Sequence, residues 1–196
     1  MITSDYYNQN AQAFYDGSIN VNVQPLYDRF LPYIPKGGSI IDAGCGSGRD
    51  SKFFAEQGYQ VTAFDASEQL VELAKAHTQL TIFHSTFLSF EVKKGRFDAI
   101  WACASLLHVS QTELNKTFKH LAQFLKVGGV FYCSFKLGDE EVESGGRRFT
   151  NVNEASLSSY LVDAQLEIKE QWLSDDLRPG REGEKWLNAL LVKKNS

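Results

Sequence analysis

The chain has 196 residues, room for one α/β domain with a substantial core and too few for two ordinary domains. Its 43% hydrophobic and 22% charged residues, with only 4 prolines, belong to a globular protein and exclude a low-complexity or disordered chain. The formal net charge of −4 weighs against a protein built to grip nucleic acid, which is usually basic.

The opening residues, Met1 to Asn8, have no basic flank followed by an apolar run, so no signal peptide is expected. The longest apolar stretch, around Ile100 to Val109, is far short of a membrane span. Cys45, Cys103 and Cys133 are odd in number and sit in apolar or glycine-rich stretches, which suits reduced thiols better than a disulfide framework. No His/Cys spacing suggests a metal. The expectation is a soluble, cytoplasmic protein.

In chain order, two aromatic-rich helical patterns come first, about Asp5 to Tyr15 and Val23 to Tyr33, and Pro32 and Pro35 stop the second. We read residues 1–36 as a helical cap on one domain spanning 1–196. Ser39 to Ala43 reads as a buried strand, Gly44-Cys45-Gly46-Ser47-Gly48 as the turn that ends it, and Lys52 to Ala55 as part of the helix that follows. A second strand covers Tyr59 to Phe64, with Asp65 at its end and Ser67 as N-cap of a helix to about His77. A third covers Leu80 to His84. The fourth, Phe97 to Cys103, is nearly all apolar, as for a strand covered on both faces. A helix from Gln111 to Leu125 precedes Gly128-Gly129 and a fifth strand, Val130 to Phe135. Gly138 to Gly146 is acidic and without apolar periodicity, so an exposed loop is expected. A helix from Asn153 to Val162 and two antiparallel strands, Leu166 to Leu173 and Lys185 to Lys193, close the chain. Strands alternating with helices point to a parallel sheet with helices on both faces.

The strongest chemical signal is Asp42-Ala43-Gly44-Cys45-Gly46-Ser47-Gly48 between an apolar strand and a helix. Glycines permit a tight turn and leave no Cβ between ligand and backbone, and the helix start offers unpaired N–H groups. Asp65 ends the next strand, where a carboxylate can take both ribose hydroxyls of a nucleoside. A dinucleotide fingerprint needs a third glycine where Arg49 stands, which disfavours a dehydrogenase. Asp42 can instead anchor a cofactor amine.

These residues resemble motif I of class I S-adenosylmethionine (SAM)-dependent methyltransferases. Phe97-Asp98-Ala99-Ile100-Trp101-Ala102 is similar to the family's fourth-strand motif, and Leu125-Lys126-Val127-Gly128-Gly129-Val130 to its turn before strand five. Arg178-Pro179-Gly180-Arg181 to Trp186-Leu187-Asn188 resembles the tails of small bacterial methyltransferases labelled tellurite-resistance related. The resemblance implies a Rossmann-like, doubly wound seven-stranded sheet of order 3-2-1-4-5-7-6 with the last strand antiparallel. It implies SAM as cofactor, with Gly44, Cys45, Gly46 and Gly48 lining its methionine and ribose portions, Asp65 and Ala66 at the ribose, and Cys103 beside the methionine. Many relatives carry an Asp for the adenine amine where this chain has His84-Ser85-Thr86-Phe87; Thr86, with Phe87 beside it, is the stand-in.

His108, past the fourth strand, is placed to deprotonate or orient an acceptor. Arg178 and Arg181 are read as holding an acidic or oxyanion-bearing acceptor, whereas Arg147 and Arg148 are read as surface ion pairs. Asp175, Asp176, Glu182 and Glu184 are the acids with which these arginines would pair as surface residues. Tyr6, Tyr7, Phe14 and Tyr15 form a candidate lid, and His77, His84 and His120 are read as structural. Without a basic tail or a large substrate domain, the expected acceptor is a small molecule. The alternatives are an RNA or protein methyltransferase needing a partner, and a non-catalytic SAM-binding regulatory module.

Overall fold

The computed structural model describes residues 3–181 and 183–195; Glu182, named above as a pairing acid, lies outside the described residues, as do Met1 and Ile2 of the opening segment. Seven strands form one sheet in the order β3-β2-β1-β4-β5-β9-β8. The members are β1 (Ser39–Ala43), β2 (Gln60–Asp65), β3 (Ile82–His84), β4 (Phe97–Ala102), β5 (Leu125–Lys136), β8 (Leu166–Asp175) and β9 (Lys185–Lys193). β1 to β5 run parallel, and β9 lies antiparallel to both β5 and β8. This is the doubly wound order expected, with two further strands counted between.

Those strands, β6 (Glu141–Ser144) and β7 (Arg147–Thr150), pair antiparallel and correct the expected exposed loop. Gly145 and Gly146, at φ 56° and 76°, make a two-residue hairpin turn. Val142 packs against the core and Phe149 is buried, so two inward side chains suffice to fold an otherwise polar segment.

Boundaries differ elsewhere for local reasons. The first helical pattern breaks at Asn10 into α1 (Thr3–Gln9) and α2 (Ala11–Ser18), where the Asn10 amide donates back to the Tyr6 carbonyl at 2.8 Å. The second ends as α3 (Gln24–Phe30) and a 3₁₀ turn carrying Pro32. α4 (Arg49–Glu56) and α5 (Glu68–Thr78) follow β1 and β2, and Ser67 caps α5 by accepting from Leu70 N–H. α6 (Gln111–Ala122) is shorter than expected because the chain enters the sheet already at Leu125, then bulges through Gly128 at φ 77°. α7 (Glu154–Tyr160) starts in a reciprocal cap between Asn153 and Ser156.

One face of the sheet packs on α6, α7 and the hairpin. The other packs on α3 and α4 through a stack of rings: Phe30, Phe54, Trp101 and Tyr132 are all fully buried. The N-terminal segment therefore shares a core with the central strands. Phe30→Ala should cost about 3–5 kcal/mol, the range for emptying a buried phenylalanine site. Urea unfolding followed by tryptophan fluorescence and by far-ultraviolet dichroism should show one shifted transition in both signals. A separate early transition, leaving the rest at wild-type stability, would mean that the cap is not integral to the domain.

Candidate active site

The carboxyl ends of β1, β4 and β5 open into a cavity of about 620 Å³. Its floor is the glycine turn. Gly44 has φ 75°, and a Cβ there would lie 2.6 Å from the Ser105 Cβ, so no other residue fits. Gly46, at φ 54°, would bring a Cβ to 3.0 Å from the Phe14 ring. The Asp65 carboxylate braces this turn from β2, one oxygen accepting Gly46 N–H and the other Ser67 N–H, both at 2.9 Å. Burial raises the Asp65 pKa, and the backbone amides of Ser67, Gly46 and Ala66 oppose that rise.

At the end of β4 the chain reverses through Ala104, a non-glycine residue at φ 50°. Its N–H donates to Ser134 Oγ at 2.8 Å, and the Ser105 hydroxyl then donates to the Ala43 carbonyl at 2.7 Å. Such a left-handed residue is held only by its surroundings, here at the rim of the cavity. The reversal delivers His108 to the cavity wall. Burial holds the Cys103 thiol, beside it, up to about 12, so Cys103 is no nucleophile at neutral pH.

His108 is locked from both sides. Nδ1 lies 2.7 Å from the Arg148 carbonyl, which can only accept, so this nitrogen carries the proton. Nε2 then accepts from the Tyr7 hydroxyl at 2.8 Å. Burial, with Arg147 and Lys136 nearby, lowers the His108 pKa to about 4. Tyr7 also meets Phe14 and His108 ring to edge, so α1 and α2 close over the turn.

Beside the cavity lies a buried charge network that pattern reading missed. Asp50 accepts from Tyr27 Oη at 2.5 Å, Trp101 Nε1 at 2.8 Å and Arg49 Nε at 2.6 Å. These partners hold Asp50 ionised, while burial and the Asp50 charge push the Asp42 carboxyl upward. Asp42 also accepts from Ser51 Oγ at 2.5 Å, which opposes that rise.

The cavity brings together Gly44, Cys45, Gly46, Cys103, His108, Arg178 and Arg181. Asp42 sits below it, and Gly48, Asp65, Ala66, Thr86 and Phe87 are not among its lining residues. Thr86 is exposed, its hydroxyl engaged with Ser89 at 2.7 Å, while Phe87 packs edge-on against Phe64. Arg178 is bound through two nitrogens to the buried Asp176, and Arg181 lies 3.7 Å from Glu184. Arg148 forms an ion pair, but with Glu141 at 3.1 Å and not with the acids named from the sequence, and Arg147 faces the cavity with no carboxylate partner among the described residues. Of the other histidines, His120 meets the Phe90 carbonyl, His84 the Ala66 carbonyl, and His77 the Tyr15 ring.

Residues 40–129 match the family model described as a methyltransferase domain. The fold is the Rossmann-like methyltransferase fold. A Burkholderia thailandensis 1,6-didemethyltoxoflavin N1-methyltransferase, solved with its acceptor and S-adenosylhomocysteine, superposes with TM-score 0.82 at 18% identity, covering 99% of this chain and 88% of that one. A TehB-like SAM-dependent methyltransferase of Corynebacterium glutamicum gives 0.72 at 20% identity, over 97% and 98% of the two chains. In sequence, the methyltransferase-like protein YqeM of Bacillus subtilis is 31% identical over 130 residues, 58% of this chain and 51% of its own. A ubiquinone biosynthesis O-methyltransferase of Coxiella burnetii is 31% identical over 104 residues, 50% of this chain and 44% of its own. The chain thus spans about half the length of these relatives. Among the described residues no helix is long and apolar enough to cross a membrane.

The His108 geometry has a pH consequence. The folded state binds the imidazole proton less tightly than the unfolded chain, whose histidine titrates near 6.5. Its contribution to stability is therefore complete above about 6.5 and falls as the pH drops toward 4. Nitrogen-15 spectra of the imidazoles should show His108 as the neutral Nδ1–H form down to pH 5; titration near 6.5 would contradict the buried, doubly bonded ring.

Proposed function

We propose that this chain is a SAM-dependent methyltransferase acting on a small-molecule acceptor. The observation that carries the reading is the glycine turn, braced by Asp65, at the floor of the cavity, in a segment matching the methyltransferase-domain family. The residues fit the cofactor: the turn leaves no side chain between ligand and backbone at Gly44 and Gly46, and Asp65 stands at the end of β2 with acceptor capacity beyond the two amides it already takes. Gly44, Cys45, Gly46, Gly48 and Cys103 would hold its methionine side, Asp65 and Ala66 its ribose, and Thr86 and Phe87 its base, with Asp42 acting from below through the turn.

When bound, SAM supplies a methyl group already activated on a sulfonium. What remains for the protein is alignment and exclusion of water. Phe14, Leu107, Phe149 and Trp186 give the cavity apolar walls. His108 is a weak base at its lowered pKa, so we assign it and Tyr7 to orientation: the Tyr7 proton is committed to Nε2, and the phenol oxygen, beside Arg147, keeps only acceptor capacity. A cavity of about 620 Å³ is of the size that takes a small ligand, which favours a small acceptor over RNA or protein. The resemblance to tellurite-resistance-related enzymes enters through the paired arginines of the closing hairpin, with Arg178 and Arg181 lining the acceptor side.

Calorimetry should show S-adenosylhomocysteine binding, with NAD far weaker. Charge-assisted bonds from a ribose diol are worth about 1.5–3 kcal/mol each, so Asp65→Ala should weaken binding about tenfold or more while the protein stays folded. Unchanged affinity in a folded Asp65→Ala protein would remove Asp65 from the site, and tighter NAD binding would overturn the cofactor.

A further inference from the structure

Five cationic side chains line the cavity: Arg49, Lys136, Arg147, Arg178 and Arg181. Four have a carboxylate within ion-pair distance, two of them sharing one. Arg49 pairs with Asp50, Arg178 with Asp176, and both Lys136 and Arg181 lie against Glu184, at 3.1 and 3.7 Å. Arg147 alone of the five has no carboxylate within ion-pair distance among the described residues. Its Nε is sealed from solvent without a hydrogen-bond partner, and the polar side chain it acts on is the neutral Tyr7 phenol, whose pKa it lowers against burial.

The arginine is held, however, and held stiffly. Its guanidinium carbon lies 4.5 Å from the centre of the Tyr6 ring, 5.0 Å from that of Phe149 and 6.0 Å from that of Tyr7. Aromatic faces attract a guanidinium and fix its plane, yet they do not neutralise its charge. A partly desolvated cation with an orphaned N–H is costly unless something meets it. The rings come from α1 and β7, the two elements that close the cavity over Tyr7 and His108. A fixed planar cation there is matched by a group with two coplanar anionic oxygens.

We propose that Arg147 is the acceptor-specificity residue and that it selects an acceptor bearing a carboxylate. This rests on the methyltransferase reading above. It moves acceptor recognition from Arg178 and Arg181, whose charges Asp176 and Glu184 already meet, to the hairpin that the sequence presented as a loop. Arg178 and Arg181 then shape the wall, and Arg147 supplies the cation that has no carboxylate partner among the described residues.

The test uses the full chain saturated with S-adenosylhomocysteine and titrated with paired probes: acetate and acetamide, benzoate and benzamide, indole-3-acetate and indole-3-acetamide. At least one acid should bind tenfold or more tightly than its uncharged amide. Arg147→Gln should abolish that preference, Arg147→Lys should retain part of it, and Arg148→Gln should leave it intact. All three variants should bind S-adenosylhomocysteine within about twofold of wild type. If Arg147→Gln is unstable, the Lys variant carries the comparison, because a role in packing alone predicts equal loss for acid and amide. The proposal is overturned if no acid is preferred by the wild type, if the preference survives Arg147→Gln, or if both Arg147 variants lose S-adenosylhomocysteine, which would place the residue in the cofactor site. Failure of the wild type to bind S-adenosylhomocysteine would instead sink the methyltransferase reading and the proposal with it.

Discussion

The arrangement depends on one buried carboxylate. Asp50 is 7% exposed and sits at the start of α4, in the wall of the cavity. An ionised group so placed must be paired and hydrogen-bonded, and its partners come from separate parts of the fold: Tyr27 from α3, Trp101 from β4 and Arg49 from the end of the glycine turn. Arg49 reaches on to the Ser18 carbonyl at the end of α2. The N-terminal helices, the turn and the central sheet therefore cannot move independently without exposing or orphaning this charge. Removing one partner of such a buried pair typically costs about 3–5 kcal/mol.

The consequence for function is positional. With α2 and α3 fixed from below, Phe14 lies over Gly46 and Tyr7 reaches His108. Tyr7 sets the orientation of His108, and the Arg148 carbonyl sets its tautomer. The same carbonyl belongs to β7, so the hairpin that brings Arg147 to the cavity also fixes the imidazole. Cap, turn and hairpin enclose one space from three sides, each by a short chain of named contacts.

The local parts of this account were legible in the sequence. The apolar strands, the glycine turn, the Ser67 and Asn153 caps and the closing hairpin follow from composition and spacing, because each is decided by neighbouring residues. The long-range parts were not. Asp50 reads as an ordinary first-turn acid of a helix, since its partners Tyr27 and Trp101 lie 23 and 51 positions away. Glu141-Val142-Glu143-Ser144 and Arg147-Arg148-Phe149-Thr150 have few apolar residues, and their charges hid the alternation. Gly145-Gly146 was the available hairpin signal. Arg147 and Arg148 are indistinguishable in sequence. Only the pairing register, which sets Arg148 opposite Glu143 and within reach of Glu141, separates the compensated arginine from the bare one.

The most direct test of the central claim, that the braced glycine turn and the cavity above it form one cofactor-and-acceptor site, is a crystal structure with S-adenosylhomocysteine bound. The account predicts the ribose hydroxyls on Asp65, the homocysteine portion along Gly44 to Gly48, and the sulfur facing the space bounded by Tyr7, His108 and Arg147. A ligand bound away from the turn, or a sulfur facing away from that space, would contradict it.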